Sequence, residues 1–415
     1  MKILQCHNVY QQVGGEDSVV ADERRMLESH GHTVVQYTRH NDEVEKLSKL
    51  RLAAGTVWSR RTVREITELI ARESPDIAHF HNTLPLMSPA VYSAAHRAGI
   101  PTVQTLHNYR FLCPKATFFR DDQLCEKCLP KRVKWPAIQH ACYRDDRLAS
   151  ATVTAMLTIH GMRGTYHRDV DAYIACSPFT RDKMIEGGLP ADRIHYKPNF
   201  EPSIPQVGRG DGGYALYLGR LSPEKGVTVL VDTWRRLPGR RLEVIGRGPQ
   251  QDLVDALAAE RPNDVVRHHW VDDDELNRLL SGAALLVLPS MNYEGFPKVI
   301  VESFARGLPV VASNVGAMAA VIRDGENGRL ARFGDAEDFA RVIAQTLDDP
   351  AGLAQMRINA RRDFEENYTA DINHDLLMQV YDAAAQRFAQ TRGKTFTPQY
   401  TASSTNAPPS LTANS

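Results

Sequence analysis

Pro289-Ser290-Met291-Asn292-Tyr293-Glu294-Gly295-Phe296-Pro297-Lys298-Val299-Ile300-Val301-Glu302 is the stretch on which the reading of this chain turns. It follows a continuous apolar run at 284–288 and leads into an apolar periodicity over 298–305. A buried strand, a loop and a helix are the expected elements. Pro297 suits the first helical position, where an amide hydrogen has no partner to lose. The free amides and dipole of such a helix start attract an anion. Glu294 lies in the loop, and Glu302 lies more than one turn into the helix. Two carboxylates spaced this way can accept hydroxyl hydrogen bonds from two sugars on one ligand. The plainer reading is an acidic helix start with an exposed Glu302.

Outward from this stretch, strands are expected at 215–218, 242–245, 265–268, 284–288 and 310–312, with helices at 226–236, 250–260, 273–280 and 298–305. Gly219-Arg220-Leu221-Ser222-Pro223-Glu224-Lys225-Gly226 joins the first strand to the first helix. Arg220 offers a planar fork to a phosphate and Lys225 a point charge; a solvated turn is the alternative. Gly246-Arg247-Gly248-Pro249 follows the next strand, where tight-turn glycines are the default explanation.

An earlier series has strands at 2–7, 33–37, 76–81, 102–106 and 172–176, with helices at 16–30, 62–73 and 89–97. Strand and helix alternating at this spacing mean βαβ units and parallel sheets. The expected fold class is therefore α/β. Two Rossmann-like, doubly wound domains, 1–196 and 214–370, are joined by a Pro- and Gly-rich linker at 197–213. They face each other across a cleft, with ligands beyond the carboxyl ends of the strands. A helical segment at 371–389 is expected to pack back on the first domain. Residues 390–415, dominated by Thr, Ser, Pro and Asn, read as a disordered tail. Val13-Gly14-Gly15-Glu16 follows the first strand, and Gly15 lets backbone approach a ligand closely. No third glycine follows at the dinucleotide offset, which argues against a dehydrogenase. His81 and His107 both end strands and face the cleft.

The 415 residues hold 50 Lys plus Arg against 50 Asp plus Glu, a balance that argues against a dedicated nucleic-acid binder. The chain opens on a strand, has no apolar run of about 18 residues, and its six cysteines are too sparse for a disulfide framework. A cytoplasmic protein is expected. Lys131, Arg132, Lys134, Trp135, Arg144 and Arg147 flank the apolar run 148–159. They suit either peripheral contact with the inner face of a membrane or a solvated charged face on a core helix. Asp272-Asp273-Asp274 reads as a helix cap rather than a metal cluster, since Arg220 and Lys225 already supply positive charge. An insertion at 107–171 carries Cys113, Cys125, Cys128 and Cys142. Cys125 and Cys128 have the spacing of a zinc pair, but the other two are single. A structural zinc, free buried thiols and disulfides stay open.

Together these loops resemble family 4 of the nucleotide-sugar glycosyltransferases, of GT-B fold. Glu294 and Glu302 match its Glu-x7-Glu motif, and Gly219-Arg220-Leu221 with Lys225-Gly226 matches its phosphate-binding loop. Gly14-Gly15-Glu16 matches its first glycine loop, and Thr105-Leu106-His107-Asn108-Tyr109-Arg110 its histidine-bearing strand end. The resemblance implies that Arg220 and Lys225 hold the diphosphate of a UDP- or GDP-linked donor and Glu302 the ribose. Glu294 with Gly295, Phe296, Pro297, Lys298 and Val299 would hold the sugar and phosphate. Gly15 and Gly246 would also line the donor site, although Arg247 stands where the family carries an acid. His107, beside the reacting carbon, and Glu294 would be the catalytic groups. The implied reaction is retaining transfer of a hexose-type sugar to a glycan or lipid-linked acceptor in cell-surface polysaccharide or glycoconjugate synthesis, with no cofactor required. An epimerase or phosphorylase on the same fold, or a non-catalytic sugar-nucleotide binder, are the competing readings.

Overall fold

Continuous apolar runs produce strands buried on both faces, and such strands pair in parallel under helices. In the computed structural model, which describes residues 1–11 and 14–392, they build two six-stranded sheets. The first contains β1 (Lys2–Val9), β2 (Thr33–His40), β3 (Ile77–Phe80) and β4 (Thr102–Leu106). After a two-stranded hairpin, β5 (Phe119–Arg120) and β6 (Gln123–Leu124), it is completed by β7 (Ala172–Ala175) and β8 (Ile194–Tyr196). Its order is β2-β1-β3-β4-β7-β8, all parallel.

The second sheet contains β9 (Tyr214–Leu218), β10 (Arg241–Ile245), β11 (Val265–His268), β12 (Leu285–Leu288), β13 (Val310–Ser313) and β14 (Gly328–Ala331). Its order is β11-β10-β9-β12-β13-β14, again all parallel. Strand order reverses between β1 and β3 in one sheet and between β9 and β12 in the other. Those are the two switch points where crevices open. The edge strands β8 and β14 and the hairpin escaped the sequence reading because 194–196, 328–331, 119–120 and 123–124 mix polar with apolar residues and carry no continuous apolar run.

The helix Ala370–Thr391 lays Leu377, Met378, Tyr381 and Ala384 on Ile3, Ile77, Val103 and Ile174 of the first sheet. It runs through Gln390 and Thr391, which the tail reading had excluded; the rest of that tail, from 393, lies outside the described residues. The Pro- and Gly-rich connection is not a free linker throughout, for Phe200 is 1% exposed and joins the same cluster. The insertion is equally anchored. Tyr109, Leu112, Phe118, Val153, Met156 and Tyr166 are buried in the first domain's core. Each such side chain contributes about 1.5–3 kcal/mol of burial.

That apolar anchoring removes the need for a metal staple. All six cysteines are free thiols. Cys113, Cys125, Cys128 and Cys142 do line one small cavity. Yet no three of their sulfurs lie within 4.8 Å of one another, whereas Glu23, His79 and His81 form such a group. Four thiolates each about 2.3 Å from one zinc would stand closer than that. Of the three readings left open, the zinc site gives way to buried and half-buried free thiols, with burial pushing Cys128 up to about 12. The disulfide reading goes with it.

Candidate functional site

The second sheet contributes three loops. After β12, the helix Lys298–Ala305 begins one residue past Pro297, which is extended and stands at the N-cap. No side chain caps this helix start, so its first amides remain available to an acceptor. Glu294 Oε1 accepts from Lys225 Nζ at 2.6 Å and from Ser290 Oγ at 3.0 Å. Glu302 lies just over one turn into that helix, with Lys298 Nζ at 3.7 Å; burial raises its carboxyl above the usual range. Phe296 is buried, and its carbonyl accepts from Asn199 Nδ2 at 2.8 Å. Val299 is half-buried at the helix start.

After β9, Arg220 is exposed, and its guanidinium has no hydrogen bond or ion pair to any described residue. After β10, Gly246 has φ +147°, and a Cβ there would meet the Gly219 carbonyl at 1.8 Å. Only glycine lets these two loops pack so closely. Arg247 donates through Nε to the His269 carbonyl at 2.7 Å. Asp272 caps the helix Asp273–Gly282, accepting from the Glu275 amide at 2.8 Å. The acidic triplet is a cap, as its position suggested.

The first sheet contributes a different surface. Gly14 caps the helix Gly15–Ser29, and its amide donates to Asp17 Oδ2 at 2.9 Å. A Cβ on Gly15 would meet nothing within 4 Å, so close approach of a ligand, rather than crowding by the chain, is what a glycine there would serve. His107, at the end of β4, has Nε2 2.9 Å from His81 Nδ1, and the two rings stack. His81 Nε2 lies 3.2 Å from Glu23 Oε1, and Lys197 Nζ 3.3 Å from Glu23 Oε2. Burial, with His81 beside it, holds His107 well below its ordinary value. Burial and His79 hold His81 down to about 3. Held down in this way, both rings favour the neutral form, and a neutral imidazole offers hydrogen bonds rather than charge. Burial alone would raise the Glu23 carboxyl, but His79, Lys197 and His81 together pull it well below its usual range. Glu23, His79 and His81 approach metal-ligand spacing, but Lys197 already supplies the compensating cation.

The two surfaces touch. A Cβ on Gly295 would stand 2.5 Å from the His107 carbonyl. Tyr109 Oη donates to the Glu294 carbonyl at 2.9 Å, and Thr180 Oγ1 donates to the Gly295 carbonyl at 3.1 Å. Lys298 pairs across the cleft with Asp22. Sequence reading missed Asp22, Glu23, Tyr109 and Thr180. Only the helix periodicity placing Asp22 and Glu23 on a buried face could have flagged the first two.

Two Rossmann-like sheets whose switch-point loops meet in this way define a GT-B architecture. A family model described as Glycosyltransferase Family 4 matches residues 13–200, and one described as Glycosyl transferases group 1 matches residues 200–363. Together they span most of the chain, which belongs to the family 4 glycosyltransferases. Among curated relatives, a glycogen synthase of Mycobacterium tuberculosis is 32% identical over 249 residues, covering 54% of this chain and 57% of that protein. A phosphatidyl-myo-inositol mannosyltransferase of Mycobacterium leprae is 27% identical, covering 56% and 66%. The chain thus aligns with little more than half the length of such relatives. Among solved structures, Anabaena Alr3699/HepE in complex with UDP superposes with a TM-score of 0.64 at 19% identity, over 92% of this chain and 99% of that one. Among the described residues, no helix is long and apolar enough to cross a membrane.

Proposed function

We propose that this chain transfers a hexose-type sugar, with retention, from a nucleoside diphosphate donor to a glycan or lipid-linked acceptor on the cytoplasmic side of the membrane. The first domain, 1–196, takes the acceptor, and the second, 214–370, takes the donor. Arg220, Lys225 and the amides at the start of the helix Lys298–Ala305 receive the diphosphate. Charge-assisted donors and a helix end stabilise the negative charge that grows as this group leaves. Glu294, its Oε1 held by Lys225 and Ser290, keeps Oε2 for a sugar hydroxyl, and Glu302 takes the ribose. His107 hydrogen-bonds the sugar as a neutral ring. The bond from the anomeric carbon to the diphosphate oxygen breaks. The acceptor oxygen bonds to the same face of that carbon, and its proton passes to the departing diphosphate.

The observation that carries this reading is the contact of Gly295 with the His107 carbonyl. It sets the proposed donor loop against the proposed catalytic histidine. A UDP-linked donor is the first to test, because the HepE structure holds UDP, and a GDP-linked donor is the second. The mannosyltransferase relative is named for a lipid acceptor, which supports the lipid-linked option.

Calorimetry with UDP and GDP tests the cations. Arg220→Ala and Lys225→Ala should each weaken binding about tenfold to a hundredfold, the consequence of losing a charge-assisted bond of roughly 1.5–3 kcal/mol. Lys225→Ala should cost more, because it leaves the Glu294 carboxylate beside the diphosphate without its cation. Unchanged affinity in both variants removes this loop from the site.

A further inference from the structure

On the first domain, the helices Lys49–Val57 and Arg147–Met162 pack side by side and leave a groove of about 300 Å³ between them. That is the low end of the roughly 300–1,000 Å³ typical of ligand sites. By contrast, the cavity at His107 holds only about 40 Å³. Leu52, Ala53, Pro85, Leu148, Ala149 and Val153 give the groove apolar walls. Ala53 and Ala149 leave room between the helices, and about 300 Å³ is less than one turn of a docking helix about 10–12 Å across with a 5.4 Å pitch.

Two further observations identify the occupant. Leu148, which lines the groove, is 65% exposed, so the apolar wall opens to the surface. Lys49 and Arg144 line the groove, are exposed and form no ion pair with any described residue, Arg144 lying over the Tyr143 ring. Asp146 is the one acid that lines the groove among the described residues, and its carboxylate is engaged in capping, accepting from the Ala149 amide at 2.7 Å. An apolar groove with two exposed cations free of acidic partners on its lining matches a hydrocarbon chain with an anionic head.

The groove also adjoins the cleft. Pro85 lines the groove while Asn82 and Leu84 of the same loop line the cavity at His107. Val153 lines the groove, and Met156 and Leu157 of the same helix line that cavity. Thr56 Oγ1 donates to the Pro85 carbonyl at 3.1 Å, tying helix and loop together.

We propose that this groove holds the hydrocarbon chain of a lipid-phosphate-linked acceptor. The cations at its rim receive the phosphate, and the sugar end reaches past the 82–89 loop to His107. The proposal rests on the transferase reading of the cleft and narrows its acceptor to a lipid-linked one.

The test uses farnesyl phosphate below its micellar concentration, with inorganic phosphate as the control, titrated into the full chain. The wild type should bind farnesyl phosphate and not inorganic phosphate at the same concentration. Ala53→Trp and Ala149→Trp, which fill the groove, should weaken farnesyl phosphate binding at least tenfold while UDP affinity stays unchanged. Lys49→Glu/Arg144→Glu, at exposed positions that leave the core untouched, should weaken it as well, which keeps the test valid if a filled variant fails to fold. Farnesyl phosphate binding equal to wild type in the folded filled variants, or matched by inorganic phosphate, overturns the proposal. Should UDP fail to bind the wild type, the transferase reading falls, and the farnesyl phosphate titration still decides the groove.

Discussion

The carboxyl ends of the two sheets meet across one cleft and are built from opposite materials. At the second sheet, Arg220 stands exposed without a partner and Lys225 reaches only Glu294. Positive charge is offered there. At the first sheet, the groups are buried and balanced: two neutral imidazoles, His107 and His81, lead inward to Glu23, whose charge Lys197 matches. The same strand-loop-helix pattern thus serves two ends. One end is suited to an anion. The other offers an imidazole suited to hydrogen bonding an uncharged group, with His81 and Glu23 behind it. On the proposed reading, this difference separates donor capture from transfer.

The largest expected effect breaks the two functions apart. His107→Ala should lower kcat on the order of 10²–10³-fold, the range for losing one preorganised hydrogen-bond partner, and leave UDP affinity unchanged. Steady-state kinetics beside calorimetry gives both numbers. If His107→Ala loses nucleotide affinity as Lys225→Ala does, the division between the two sheet ends fails.

Acid stability sharpens the same contrast with a smaller effect. His81 and His107 stay neutral in the fold, while the unfolded chain protonates its histidines below about pH 6.5. The unfolded state then binds more protons, so stability falls as pH drops. The loss is at most about 1.4 kcal/mol per pH unit for each group and continues toward the His81 value of about 3. The raised Glu302 carboxyl works oppositely, since the fold keeps its proton longer as pH rises. Urea midpoints at pH 7 and pH 5 should fall with acid, less steeply in His107→Ala. An equal or rising midpoint at pH 5 would mean that these rings are not held neutral.

Much of the fold was legible because buried parallel strands announce themselves as continuous apolar runs. Residues 102–106, 265–268 and 298–305 were read with the limits the structure gives them. Short edge strands such as Ile194–Tyr196 carry no period to read. The loops bearing Glu294, Arg220 and Gly246 were legible from their place after strands, and glycine's backbone freedom explains Gly246 directly. What stayed hidden depends on tertiary contact. Glu23 reads in sequence as one acid among several on an amphipathic helix, and nothing local pairs it with Lys197, 174 positions away. The cysteines stayed ambiguous for the reverse reason. A zinc-like spacing was visible, while the aromatic core that anchors the insertion was scattered along the chain.

The most direct test of the central claim is turnover of nucleotide sugars. UDP- and GDP-linked hexoses, labelled in the sugar, would be incubated with the chain and a lipid-phosphate-linked sugar acceptor, with and without EDTA. Release of the free nucleoside diphosphate together with labelled, α-configured product from an α-linked donor, undiminished by EDTA, is the predicted result. Epimerised donor, inverted product, or activity abolished by EDTA and restored by manganese would contradict it.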